Sequence, residues 1–126
     1  MKKVLSVGDL MTPDPQTVSP DTPLRTVLKL MKEDGCRQLP VVNEAGVLVG
    51  IITDRDVRLA MNSPFVLRER SQDEALLNSL PAEGCMTPDP LTVTAGTPAY
   101  GAAEILSVHK FGALPVVDQG KLVGIV

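Results

Sequence analysis

The segment Gly50–Asp56 (GIITDRD) carries side chains whose types and spacing suit the binding of a small polar molecule. A carboxylate has two acceptor oxygens, so Asp56 could accept both hydroxyls of a sugar diol in charge-assisted bonds. The Thr53 hydroxyl could reach a phosphate or ribose oxygen, and Arg55 could extend toward a phosphate. A helix that begins here would add free N–H groups and positive potential, which favour an anion.

The spacing of Thr53 and Asp56 has a second interpretation. Thr followed three residues later by an acid fits a capping box, with Asp in place of the usual Glu. Asp56 would then stabilise the start of the helix and bind no ligand. The two interpretations are compatible, because the start of a helix is itself an anion site.

Catalysis and metal binding are disfavoured by the other reactive residues of the chain. The single histidine, His109, has no Cys or carboxylate partner at ligand spacing and is predicted to lie on the surface. The sequence contains no nucleophile–base arrangement, metal-ligand cluster or P-loop. Cys36 and Cys85 are far apart and are predicted to be free thiols. We therefore expect no enzyme activity, no catalytic residue, no metal and no cofactor.

Charge and hydropathy exclude two further classes of partner. The 126 residues carry a net charge of -3, whereas nucleic-acid binding needs clustered Lys and Arg. No apolar run reaches the roughly 18 residues that a membrane span needs, and the N-terminus has no signal-peptide core. With free thiols, these features predict a cytoplasmic protein that contacts neither nucleic acid nor membrane.

An internal repeat dominates the sequence and decides the prediction of the fold. The two copies share, in the same order, MTPDP at 11–15 and 86–90, LPVV at 39–42 and 114–117, and LVGI at 48–51 and 122–125. Ordered matches of this kind indicate that the same structural unit is built twice.

Local patterns predict the elements of the first copy. Thr17-Val18 is a short extended piece, and Thr22 caps a helix whose first residue is Pro23 and which ends at Gly35. The apolar spacing predicts a buried helical face of Leu24, Val27, Leu28 and Met31. Two apolar strands at 39–42 and 47–52 form a hairpin, and a second helix opens at 53–56.

The second copy follows the same plan with smaller side chains. Thr97 is predicted to cap its helix and Pro98 to begin it, and the buried face is predicted to be Ala99, Ala102, Ala103 and Leu106. The hairpin turn shortens to 118–120. The counterpart of the Thr-x-x-Asp segment would lie after Val126, so we expect the second motif, 85–126, to be incomplete at its C-terminal end.

The remaining ranges complete the predicted domain organisation. The first motif spans 5–62, and a connector spans 63–84. In the connector, Ser71–Glu74 fits a capping box ahead of a short helix that Pro81 ends. One copy of roughly 55 residues rarely has enough core to stand alone. The predicted fold is therefore α+β, with two β-α-β-β-α units packed sheet to sheet in pseudo-twofold symmetry and clefts between them.

The order of these motifs resembles the CBS domain, and two in tandem resemble a Bateman module. The resemblance covers about residues 5–126 apart from the connector. It implies a non-enzymatic sensor that binds AMP, ADP or ATP, or less often S-adenosylmethionine or NAD. It also implies pairing of two modules into a homodimer and regulation of an unidentified effector protein or domain.

The resemblance also implies which residues form the ligand site. Asp56 would bind the ribose, and Thr53, Arg55 and Arg37 would lie near the phosphate. Apolar walls for the purine and the residues beside them would come from Thr17, Val18, Gln38, Leu39, Pro40 and Ile51. The second copy has Gly112 where the first has Arg37, so the two clefts need not bind the same ligand.

One alternative remains open within the same resemblance. If Asp56 serves only as a helix cap, the chain would be a structural dimerisation module that binds no ligand. A change in melting temperature on addition of a nucleotide would distinguish the two functions.

Overall fold

The computed structural model describes residues 4–61 and 70–126. The first half contains α1 (Val7–Leu10), β1 (Thr12–Pro13), α2 (Leu24–Asp34), β2 (Gln38–Val42), β3 (Leu48–Thr53) and α3 (Asp54–Met61). The second half contains α4 (Arg70–Ser79), a 3-10 turn (Ala82–Gly84), β4 (Thr87–Pro88), α5 (Ala99–His109), β5 (Pro115–Asp118) and β6 (Lys121–Ile125). The mixed α+β architecture predicted from the repeat is confirmed.

The two repeats exchange their first strands. The strand β1 of the first repeat pairs with β6 of the second, and β4 of the second repeat pairs with β3 of the first. The result is two three-stranded antiparallel sheets, in the orders β1-β6-β5 and β2-β3-β4. Each sheet therefore contains strands from both repeats.

The cores show the same exchange. The core around the first sheet combines the helix α2 face, strand residues and Ala82, which lies in the 3-10 turn just before the second repeat. The core around the second sheet contains Val7, from the start of the first repeat, together with Val93, Ala102, Leu114 and Val116. Apolar burial of this kind supplies the main driving force for folding.

The predicted hairpins form as expected and meet at their turns. Strands β2 and β3 pair around the turn at 43–46, and β5 pairs with β6 around 119–120. Across the two turns, the Leu48 N–H donates to the Gly120 carbonyl at 3.0 Å and the Leu122 N–H donates to the Gly46 carbonyl at 3.2 Å. These reciprocal bonds join the repeats near their pseudo-twofold axis.

The predicted caps of the long helices are wrong by one residue. Helices α2 and α5 begin at Leu24 and Ala99, after prolines in extended backbone. The Thr22 hydroxyl instead accepts a bond from the Ser19 N–H at 3.0 Å, within the preceding turn, and Thr97 acts in the same way. The first helical N–H groups donate to backbone carbonyls from distant segments, Leu24 to Leu80 and Ala99 to Leu5. These carbonyls make a threonine cap unnecessary.

Two further local predictions need correction. Ala103 is exposed, and the inner face of α5 consists of Ala99, Ala102, Ile105 and Leu106. The capping box predicted at Ser71–Glu74 lies inside α4, which already includes Arg70, so these residues do not precede the helix. The end of the first predicted motif at residue 62 falls outside the described residues.

The inner face of α2 agrees with its periodicity. Leu24, Val27 and Met31 are buried and Leu28 is partly buried against them. Gly35 ends the helix in the left-handed conformation at φ 65, which glycine adopts without a steric penalty. Within the described ranges, no helix has both the length and the apolar character needed to cross a membrane.

Candidate functional site

Thr53 and Asp56 form the predicted capping box at the junction of β3 and α3. The Thr53 N–H donates to Asp56 Oδ2 at 2.9 Å, and the Asp56 N–H donates to Thr53 Oγ1 at 3.0 Å. Asp56 is half-buried, and its Oδ1 receives no hydrogen bond from the residues whose side chains the structure describes, 4–61 and 74–126. The cap interpretation is confirmed, and one carboxylate oxygen remains available for a ligand.

A cleft between the repeats contains this carboxylate, and we call it the Asp56 cleft. Its volume is about 540 Å³, within the range of small-molecule sites. The first repeat contributes Gln38, Ile51, Thr53, Arg55 and Asp56. The second repeat contributes the opposite wall, from Thr87, Asp89, Pro90, Leu91 and the segment 109–115.

A second cleft, the Arg37 cleft, is the pseudo-twofold counterpart of the first. Its volume is about 590 Å³. It is lined by Arg37, Gln38, Leu39 and Pro40, by residues around the first MTPDP segment, and by Ile125 and Val126. In the repeat, Ile125 and Val126 are equivalent to Ile51 and Ile52. Gln38 lines both clefts, and so does Ala113, its counterpart in the second repeat.

The structure distributes the predicted ligand residues over three places. Ile51, Thr53, Arg55 and Asp56 lie together in the Asp56 cleft, with Gln38. Arg37, Leu39 and Pro40 line the Arg37 cleft and do not face Asp56. The expectation that Arg37 lies near the phosphate of a ligand bound by Asp56 therefore does not fit its position in the other cleft.

Thr17 and Val18 belong to neither inter-repeat cleft. They line a smaller groove of about 300 Å³ with Ser19 and Thr22. Val18 is buried and forms a parallel bridge with Val41 of β2, which places this segment beside the first sheet. The structure does not bring these two residues to the Asp56 cleft.

Sequence reasoning missed the wall that the second repeat contributes. The strand exchange places Thr87 beside Ile51 in the β4–β3 ladder, which brings the second MTPDP segment to the cleft. His109 is exposed, as predicted, but also lines this cleft, where its ring stacks on that of Phe111 with centroids 5.2 Å apart. The identical MTPDP segments were the available signal, because pseudo-twofold symmetry requires equivalent surroundings for both.

The charged groups of the Asp56 cleft have mixed sign. Arg55 and Lys110 line it as cations, and Asp56 and Asp89 line it as carboxylates. The Asp56 charge acts on its surroundings, since burial and this carboxylate together raise the pKa of the Cys85 thiol. Among the described residues, no cluster of three or more His, Cys, Asp or Glu side chains could hold a metal ion.

Comparison with known proteins identifies the fold family. The family model described as "CBS domain" matches residues 7–63 and 82–126. The chain belongs to the CBS-domain family. A CBS domain-containing protein of Dictyostelium discoideum is 38% identical over 125 residues, which cover 98% of this chain and 86% of that protein.

Solved structures of other CBS pairs share the architecture. The structure of CBSX2 of Arabidopsis thaliana in complex with AMP has a TM-score of 0.79 at 35% identity, covering 97% of this chain and 89% of that one. The CBS domain pair of protein MJ0100, in complex with 5'-methylthioadenosine and S-adenosyl-L-methionine, has a TM-score of 0.78 at 25% identity, covering 98% and 90%. These matches confirm the tandem CBS-pair prediction.

CBS domains also occur within enzymes. The chain is 36% identical over 122 residues to homoserine O-acetyltransferase of Methanococcoides burtonii, but it corresponds to 22% of the length of that enzyme. This chain therefore matches one region of that enzyme and not the enzyme as a whole.

Proposed function

We propose that this CBS pair binds an adenine nucleotide in the Asp56 cleft and acts as a regulatory module without catalytic activity of its own. The observation that carries the proposal is the position of Asp56, half-buried in an inter-repeat cleft with one carboxylate oxygen that accepts no hydrogen bond from the described residues. A ligand held there would touch both repeats. It could therefore favour one arrangement of the repeats through unequal affinity for the alternatives.

The capping bond and a ribose do not compete for the same acceptor capacity. A carboxylate accepts about four hydrogen bonds, two on each oxygen. The Thr53 N–H occupies one position on Oδ2. The remaining positions suffice for the two hydroxyls of a ribose, and the start of α3 places positive potential beside them.

The apolar part of the same cleft suits a purine. Ile51 of the first repeat and Pro90 and Leu91 of the second line it. In this proposal these residues form the purine wall, in place of Thr17, Val18, Leu39 and Pro40. Thr53 and Arg55 remain the candidates for contact with ribose or phosphate from the first repeat.

Relatives support the ligand class and leave its identity open. CBSX2 has been solved with AMP, and the MJ0100 pair with 5'-methylthioadenosine and S-adenosyl-L-methionine. We favour AMP or ATP, with S-adenosylmethionine or NAD as alternatives. A homodimer, an effector protein or domain and a cytoplasmic location complete the proposal. The relative CBSX2, in contrast, is a chloroplastic protein.

Thermal melting tests this proposal. We expect AMP, ATP, S-adenosylmethionine or NAD to raise the Tm of the wild-type protein by several degrees, since a ligand of the native state stabilises it by mass action. Asp56→Ala should abolish the rise. The matched control is Asp54→Asn, which removes a carboxylate from the same helical turn but outside the cleft and should preserve the rise.

A ligand-free dimerisation module is the second candidate function. The complete capping box favours it, because it gives Asp56 a structural role without a ligand. The wild-type protein would then show no change in Tm with any of the four ligands.

A further inference from the structure

Lys110 occupies a backbone position that a lysine rarely adopts. It follows the last residue of α5 in the left-handed conformation, at φ 58 and ψ 39. L-residues other than glycine are strained in this region because Cβ crowds the following carbonyl. Strained residues of this kind occur preferentially at functional sites.

The first repeat shows what the backbone alone requires at this position. Its counterpart is Gly35, which ends α2 in the same left-handed conformation at φ 65. The hydrogen bonds are also the same, since the Cys36 N–H donates to the Met31 carbonyl at 3.0 Å and the Phe111 N–H donates to the Leu106 carbonyl at 3.1 Å. The helix end is thus built equally well with glycine, and the lysine side chain is not needed to form it.

The Lys110 side chain is placed where a phosphate could meet it. Lys110 lines the Asp56 cleft from the second repeat, opposite Thr53, Arg55 and Asp56. It is exposed, and in the part of the chain that the structure describes it forms no ion pair that would occupy its ammonium group.

Lys110 also supplies a cation to a repeat that has none at the position equivalent to Arg37. The counterpart of Arg37 in the second repeat is Gly112, which brings no cation to this wall. Each cleft nevertheless receives one cation from the segment between the first helix and the LPVV strand of a repeat, Arg37 in one and Lys110 in the other.

We propose that Lys110 is the phosphate-binding cation that the second repeat contributes to the Asp56 cleft, at a cost in folding stability. This inference rests on the proposed binding of an adenine nucleotide. It assigns two polar groups of the ligand to different repeats, with the ribose on Asp56 and the phosphate on Lys110. The phosphate then adds a contact to the second repeat that adenosine cannot make.

Lys110→Gly tests the proposal because it should increase the stability of the protein and weaken its affinity for phosphate-bearing ligands. Glycine relieves the left-handed strain, so the Tm without ligand should rise by about 2 °C. Calorimetric titration should show affinity for AMP and ATP weakened about fivefold, in line with the loss of one charge-assisted contact. The affinity for adenosine should be unchanged, since it has no phosphate.

Two controls separate strain from charge. Gln119→Gly relieves the same kind of strain at φ 51, in a turn outside the clefts, and should raise the Tm without altering AMP affinity. Lys121→Gln removes an exposed lysine from β6, away from both clefts, and should also leave AMP affinity unchanged.

The outcomes distinguish this inference from the function on which it rests. Normal AMP affinity in Lys110→Gly would overturn the role of Lys110 and leave the nucleotide proposal intact. An equal loss of adenosine and AMP affinity would also overturn it, because the phosphate would not be the group recognised. A wild-type protein that binds no adenine nucleotide would overturn both.

Discussion

Asp56 and Thr53 each accept a hydrogen bond from the backbone N–H of the other, at 2.9 and 3.0 Å. This exchange fixes the Asp56 carboxylate at the start of α3 before any ligand arrives. A side chain that is already held in place loses little rotamer freedom on binding, which favours affinity. The structural role of Asp56 therefore supports its proposed role in ligand binding.

Asp56→Glu separates those two roles. Glutamate is the usual residue at the N3 position of a capping box, so helix α3 should remain capped. The Tm without ligand should therefore stay within about 2 °C of the wild-type value. The added methylene moves the carboxylate, and we expect the rise in Tm with AMP to be lost. An undiminished response to AMP would show that the position of this carboxylate does not determine binding.

Arg37→Ala tests the assignment of residues to two clefts. Because Arg37 lines the Arg37 cleft and not the Asp56 cleft, AMP affinity at the Asp56 cleft should change by less than about twofold. Calorimetric titration of Arg37→Ala beside Asp56→Ala measures this difference. A large loss in both variants would place the two side chains around one ligand.

Gly50→Ala should destabilise the protein through the exchanged strand. A Cβ at residue 50 would collide with the Met86 side chain and lie 3.0 Å from the backbone carbonyl oxygen of Thr87, which cannot rotate away. We expect a loss of about 2 kcal/mol in the free energy of unfolding, measured by urea denaturation.

Gly101→Ala is the matched control for Gly50→Ala. A Cβ there would make an ordinary contact of 3.8 Å with Thr97, and alanine favours the helix α5. The free energy of unfolding should rise by about 0.5 kcal/mol or remain the same. If Gly50→Ala were equally well tolerated, β4 could not lie against β3 as described.

The raised pKa of the Cys85 thiol predicts a loss of stability at alkaline pH. Burial, and then the Asp56 charge, raise the pKa of its thiol, so the folded state holds the proton more tightly than the unfolded state. This stabilisation is fully present below the ordinary thiol pKa and is lost as pH rises through the raised pKa. Melting measured from neutral to alkaline pH should show a smaller decline in Cys85→Ala than in the wild-type protein.

The reactivity of Cys85 gives a second measurement of the same coupling. Asp56→Asn removes the carboxylate charge and should lower the pKa of the thiol, so iodoacetamide should modify Cys85 faster. Mass spectrometry of the modified peptide reports the rate. Asp54→Asn should have a smaller effect, and equal acceleration in both variants would contradict a specific influence of Asp56.

The repeated motifs made the fold predictable from sequence, because they fix the order of elements and require two equivalent units. The capping box at Thr53 and the hairpins were also predictable, since each depends on residues close together in the chain. The helix starts were not, because their first N–H groups bond to Leu80 and Leu5, which are distant in sequence.

The composition of the candidate site was less predictable than the fold. Two similar repeats imply two similar clefts, but the repeat pattern does not say which repeat supplies each wall. That is decided by the pairing of β4 with β3, which places the second MTPDP segment opposite Asp56 and leaves Arg37 in the other cleft. Long-range pairing of this kind has no local sequence signal.

The exchanged strands have a consequence for synthesis on the ribosome. The sheet of the first repeat is completed by Thr87 and Pro88, and Thr12 pairs with Ile125, which is synthesised much later. Closing such long loops costs entropy before the free energy of strand pairing can offset it, so these contacts form late and slowly. A nascent chain that has emerged only as far as the first repeat would expose an unpaired sheet edge, which is a template for aggregation, until the second repeat follows.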